Sequence, residues 1–175
     1  SASVGLGAQE DLSPADDRGL PLDPERILSL DTDEGTWISV DVSPSGQTVV
    51  FDLLGDLYTV PLSGGDATPL TQGMSYDNQP RYSPDGSEVL FISDQNGSEN
   101  LWLVNVESGE RRQLTNGLTY SYESPDWLPD GDYVVAARSF RSTARGDARN
   151  PKLWMWHVDG GTGLQIIKSP GSRRT

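Results

Sequence analysis

The sequence of 175 residues predicts an all-β fold, a partial β-propeller of three four-stranded antiparallel blades that form an incomplete ring. Three observations carry that prediction. Turns reading Ser-Pro-Ser-Gly, Ser-Pro-Asp-Gly and Leu-Pro-Asp-Gly recur, with Pro44, Pro84 and Pro129 spaced by 40 and 45 residues and Gly46, Gly86 and Gly131 keeping step. Each turn belongs to a unit of four short strand-like segments, and a period of roughly 40–45 residues is that of propeller blades. The second and third segments are apolar on consecutive residues, which fits a sheet covered on both faces better than the half-exposed sheet of a sandwich. No unit shows helical periodicity, so helical solenoids are excluded.

The first unit spans 36–73. Its apolar segments are Val49-Val50-Phe51 and Leu57-Tyr58-Thr59-Val60, and it closes on Pro69-Leu70-Thr71. The second, 74–117, is the most regular, with strands expected over 78–82, 88–93, 100–105 and 111–115. Pro at the second and Gly at the fourth position of Ser83-Pro84-Asp85-Gly86 specify a type I turn. Asn96-Gly97 supplies a tight hairpin, and Ser108-Gly109 turns the chain again. The third unit, 118–168, carries Tyr133-Val134-Val135-Ala136 and Leu153-Trp154-Met155-Trp156, and its fourth strand is expected at Gln165-Ile166-Ile167. Between its second and third strands lies a basic insertion, 139–151, holding Arg141, Arg145 and Arg149 and flanked by Arg138 and Lys152. That loop reads as a solvated insertion or as a surface for an acidic partner or domain.

These blades resemble the TolB-like, or PD40, propeller repeat, through S-P-D-G, V-L-F-I-S-D, L-W-L-V and R-Q-L-T. The resemblance is closer still to the N-terminal propeller of secreted bacterial amidohydrolases. It rests on 32–37, 42–44, 50–56 and 153–167, and covers about three quarters of the chain. It implies an exported protein, periplasmic or secreted, in which a downstream barrel hydrolyses a C–N bond with a divalent metal. The propeller would scaffold that barrel or restrict access to it, and the downstream catalytic domain would be its partner. A TolB-type propeller that binds envelope proteins, and the gating propeller of a serine peptidase, are the alternatives.

Residues 1–35 read as an acidic, poorly ordered leader, with nine acidic and two basic residues supplying −7 of the net charge of −13. Within it, 1–9 fit either the end of a signal peptide or the start of a mature chain, and 26–30 resemble an edge strand. Residues 169–175 read as a linker into a further blade. The negative charge argues against nucleic acid and an anionic membrane surface as partners. No apolar run reaches the ~18–20 residues of a membrane-spanning helix.

No cysteine is present, so a disulfide framework, a thiol nucleophile and a thiolate metal site are excluded. His157 is the single histidine, which rules out a multi-histidine metal site and points to a packed blade residue. The segment 94–100 places oxygens on alternate residues around Gly97, but lacks the glycine and glutamate positions of an EF-hand. Asn96-Gly97-Ser98 also matches a glycosylation acceptor, and Arg145-Gly146-Asp147 is a chance triplet. Asp31, Asp33 and Glu34 form an acidic trio that reads as a solvated approach to Trp37 or, as the alternative, a cation site. No catalytic, cofactor-binding or metal-binding residue is assigned. Asp41, Arg81 and Asp126 occupy equivalent places in the three first strands and are expected to face the channel. Such a ring either binds a ligand or neutralises itself across blades.

Overall fold

The computed structural model describes residues 32, 34–141 and 151–167. Among the described residues, twelve strands form three separate antiparallel sheets of four, each a simple meander, and no helix is long and apolar enough to cross a membrane. The first blade comprises β1 (Val40–Val42), β2 (Thr48–Leu53), β3 (Asp56–Pro61) and β4 (Thr68–Pro69). The second comprises β5 (Asn78–Tyr82), β6 (Glu88–Ser93), β7 (Asn100–Asn105) and β8 (Arg111–Gln113). The third comprises β9 (Tyr120–Trp127), β10 (Tyr133–Phe140), β11 (Lys152–His157) and β12 (Gly160–Gln165). The first strands β1, β5 and β9 pack against one another at the centre, while β4, β8 and β12 lie at the rim.

The repeated turns close as their chemistry requires. Gly46, Gly86 and Gly131 donate their N–H to the carbonyls of Ser43, Ser83 and Leu128 at 2.8, 2.8 and 3.0 Å. All three glycines sit near φ +70 to +78, a region that penalises a Cβ. Asp85 fixes the second turn by accepting from Ser83 Oγ and Ser87 N, and these hydrogen bonds hold its carboxyl below the ordinary carboxylate range. The terminal Thr of Pro-Leu-Thr and Gln-Leu-Thr also has a function. Thr71 and Thr115 are buried, and their hydroxyls accept the N–H of Leu57 and Leu101 at 2.9 Å, satisfying backbone donors next to the short rim strands.

The middle blade explains the consecutive apolar runs. Val89, Phe91, Trp102 and Val104 face the first blade and pack with Val50, Leu57 and Tyr82. Leu90, Ile92, Leu101 and Leu103 face the third and pack with Tyr122, Val134, Ala136 and Trp156. Each such side chain stabilises the assembly by roughly 1.5–3 kcal/mol on burial. The outer blades are covered on one side only. Among the described residues, no strand of the first blade packs against the third, so the sheets form an open arc. Val40 and Val42 are about half exposed on one end, and Leu164 is 62% exposed on the other.

The fourth strand of the third blade is not at Gln165-Ile166-Ile167, as the repeat register suggests, but at Gly160–Gln165. The chain reverses tightly after His157, so pairing begins at once, with His157 opposite Gly160 and Met155 opposite Leu164. Glycines at 160, 161 and 163 conceal this strand from a propensity reading. Gly163 is required by packing, because a Cβ there would lie 2.2 Å from Trp156 Nε1. The rim strands β4 and β8 are shorter than expected: past them Leu70 and Thr71 both donate to the Leu57 carbonyl, and Leu114 and Thr115 both to the Leu101 carbonyl, so the regular ladder ends. The expected edge strand at 26–30 and most of the basic insertion lie outside the described residues.

Candidate functional site at the channel mouth

The structure sets Asp41, Arg81 and Asp126 in one register position, opposite Val50, Leu90 and Val135 respectively. It also gives each side chain a partner in the protein. Asp41 Oδ2 accepts the N–H of Tyr82 from the next blade at 2.8 Å. The Arg81 guanidinium donates to the carbonyl of Pro80 at 2.7 Å and reaches that of Val40 at 3.4 Å. Asp126 is exposed and accepts the N–H of Trp127, whose indole N–H donates to the Arg81 carbonyl at 3.1 Å. The central strands of neighbouring blades are thus stitched together by the residues that line them.

Two residues upstream, the central strands bulge. Gln79 and Ser124 adopt left-handed backbone conformations, φ 53 and 52, where β5 slips against β6 and β9 against β10. A bulge frees a backbone N–H from the ladder, and each is caught by the preceding blade. Asp52, 7% exposed, accepts from Ser39 N at 2.6 Å through one oxygen and from Gln79 N at 2.9 Å through the other. Gln79 Oε1 in turn accepts Ser124 N at 2.7 Å. The relay Asp52–Gln79–Ser124 therefore sets the pitch between blades at one end of the channel.

The sequence gives no direct reason to single out these three residues. The one signal is that Asp52 interrupts an apolar strand at the place where the second blade carries Ile92.

A cleft of about 360 Å³ opens at this end. It is bounded by Ser39, Asp52, Asn78, Gln79, Ser121 and Tyr122, with Trp37 and Tyr76 exposed at its rim. The charged residues lining it, Asp52, Glu99 and Glu123, are all acidic. Its polar, negatively charged wall suits hydrogen-bonding chain segments better than an apolar ligand.

The other candidates are engaged elsewhere. His157 Nδ1 accepts the N–H of Asp159 at 3.1 Å and its ring meets Tyr133 edge-on, remote from the cleft. In the 94–100 turn, Asp94 accepts from Tyr76 N while Asn100 bonds Ser98, Thr115 and Gly117. Among the described residues, no group of three or more His, Cys, Asp or Glu side chains could hold a metal ion. Of the acidic trio, Glu34 is described and exposed, while Asp31 and Asp33 lie outside the described residues. Arg138, at the root of the basic insertion, stacks over Trp154 and Tyr120 with its guanidinium carbon 3.2 and 4.2 Å from the ring centroids.

Residues 39–172 match the family described as the Tricorn protease N-terminal beta propeller domain. The chain belongs to that family. This Tricorn-type propeller segment is 38% identical over 76 residues to an uncharacterized peptidase, YuxL, of Bacillus subtilis, covering 43% of this chain and 11% of the relative. It is 32% identical over 129 residues to tricorn protease homolog 1 of Streptomyces coelicolor, covering 73% and 12%. Among solved structures, a putative TolB from Agrobacterium tumefaciens superimposes with a TM-score of 0.63 at 25% identity, over 72% of this chain and 47% of that one. The segment thus spans only about a tenth of the length of these two curated relatives.

Proposed function

We propose that this segment is a non-catalytic part of the propeller of a longer peptidase, walling off a downstream catalytic domain and restricting what reaches it. The observation that carries the reading is the match of 39–172 to the propeller of tricorn-type proteases. Similarity to a peptidase and to a tricorn homolog supports it. These relatives favour a peptidase parent over the metal-dependent amidohydrolase that the repeat resemblance implied. In this reading the partner is the catalytic domain of the same protein, and the location is periplasmic or secreted. Asp41, Arg81 and Asp126 would contact polar chain segments passing along the channel. The acidic mouth would favour segments bearing Lys or Arg over acidic ones.

The test is made on the full-length parent. A fluorophosphonate should label a serine and abolish peptide cleavage, and short cationic peptides should be cleaved faster than folded proteins. Amide hydrolysis that survives the fluorophosphonate but is lost on chelation would restore the amidohydrolase parent. A second reading, a TolB-like propeller that binds envelope proteins without turnover, is favoured by the superposition on the putative TolB. Stable capture of an envelope protein by a parent with no hydrolytic activity would select it.

A further inference from the structure

The seam between the first two blades holds two carboxyl groups that the stitching of the channel does not use. Asp77 precedes β5 and is fully buried; its Oδ1 accepts from Ser93 Oγ at 2.6 Å, and its backbone N–H is donated to the Gly55 carbonyl at 2.8 Å. Asp56 opens β3, directly after the Gly55 carbonyl that accepts this N–H. Asp77 Oδ2 and Asp56 Oδ1 are both removed from solvent and both lack a hydrogen-bond partner. Buried acceptors are rarely left so, because desolvation without a partner is costly. Arg111 on β8 approaches, with Nη1 3.7 Å from Asp77 Oδ2. Arg111 also donates to the Gln72 carbonyl at 3.0 Å and reaches Gln95 Oε1 at 3.4 Å, so its charge is shared among several acceptors.

We infer that Asp56, next in the chain to the Gly55 carbonyl that accepts the Asp77 N–H, is a proton-binding carboxyl that makes the seam between the first and second blades a pH-sensitive joint. One proton on Asp56 removes the like-charge repulsion and converts one orphaned acceptor into a donor. The groups acting on Asp56 are Asp77, Arg111 and the Gly73 backbone, and Tyr58 on its own strand feels its charge in return. Burial first, and the Asp77 charge second, push the Asp56 carboxyl up to about 6, against the opposing pull of Arg111. Because the folded value lies above the unfolded one, the folded state retains the proton. The contribution to stability is therefore full below pH ~4 and is lost as pH rises through about 6.

The experiment is a carboxyl ¹³C titration of the intact chain, paired with amide exchange at the seam corrected for intrinsic rates. Asp56 should titrate near pH 6, and the protection of Asp77 N–H should fall about threefold between pH 5 and 7.5, solvent screening holding the effect of this half-buried group below the roughly tenfold of the full shift. Asp77→Asn should move the Asp56 midpoint down and Arg111→Gln should move it up. Asp56→Asn should make seam protection independent of pH across this range. An Asp56 midpoint in the ordinary carboxylate range, or one indifferent to both neighbours, would overturn the proposal. Seam protection that still falls with pH in Asp56→Asn would also overturn it.

Discussion

Trp102 offers the most direct test of the three-blade packing. It lies in the middle strand pair of the second blade, 5% exposed, opposite Phe91 and against Val50, Leu57 and Tyr82 across the seam. A buried tryptophan removes on the order of 200 Å² from water. At about 25 cal/mol per Å² that is an upper bound near 5 kcal/mol for Trp102→Ala. One contribution opposes it: Trp102 Nε1 is buried without an acceptor, and deleting that donor recovers about 1–3 kcal/mol. The difference leaves an expected loss of roughly 2–4 kcal/mol, overlapping the range for emptying aromatic core sites. Urea melts followed by far-ultraviolet circular dichroism, at one low protein concentration, should show the midpoint falling with the slope unchanged. Trp102→Phe separates the two contributions. It keeps most of the ring, removes the orphaned N–H, and should lose less than about 2 kcal/mol. A loss below about 1 kcal/mol for Trp102→Ala, or a greater loss for Phe than for Ala, would refute the placement of this strand between two covered faces.

Three further outcomes are expected. Gly163→Ala should destabilise the third blade by about 2 kcal/mol or more, because the new Cβ meets the Trp156 indole and the residue sits at φ +76; thermal melting would read it. Asp52→Ala strands two backbone donors at the channel mouth and should cost about 2–3 kcal/mol, whereas Asp52→Asn keeps one acceptor and should cost about half as much. The open faces bearing Val40 and Val42 at one end and Leu164 at the other should make the isolated chain associate. Light scattering after size exclusion would show this, and a compact monomer with a concentration-independent melt would contradict the open arc.

What the sequence determines by itself is the blade. Strands β5, β6 and β7 have the bounds that the turn chemistry and apolar runs of 78–105 dictate, because each boundary is marked by a local signal: a Pro-Asp-Gly tip, an Asn-Gly pair, or the end of an apolar run. The middle position of that blade is also legible, since only a sheet packed on both sides places Leu90, Phe91 and Ile92 in the core together. Where local signals fail, the tertiary structure decides. Gly160–Gln165 is a strand because it pairs with β11 directly after the reversal at His157, and Gly163 leaves room for the Trp156 indole, a neighbour no propensity encodes. The roles of Asp52, Gln79 and Ser124 arise because bulges release N–H groups that only an adjacent blade can satisfy. Likewise Asp56 and Asp77, 21 positions apart in the sequence, each bury an unpartnered carboxyl oxygen only because the Asp77 N–H bonds the Gly55 carbonyl and draws the two segments together. Chain-local chemistry writes each blade, and desolvation between blades assigns the roles of their polar residues.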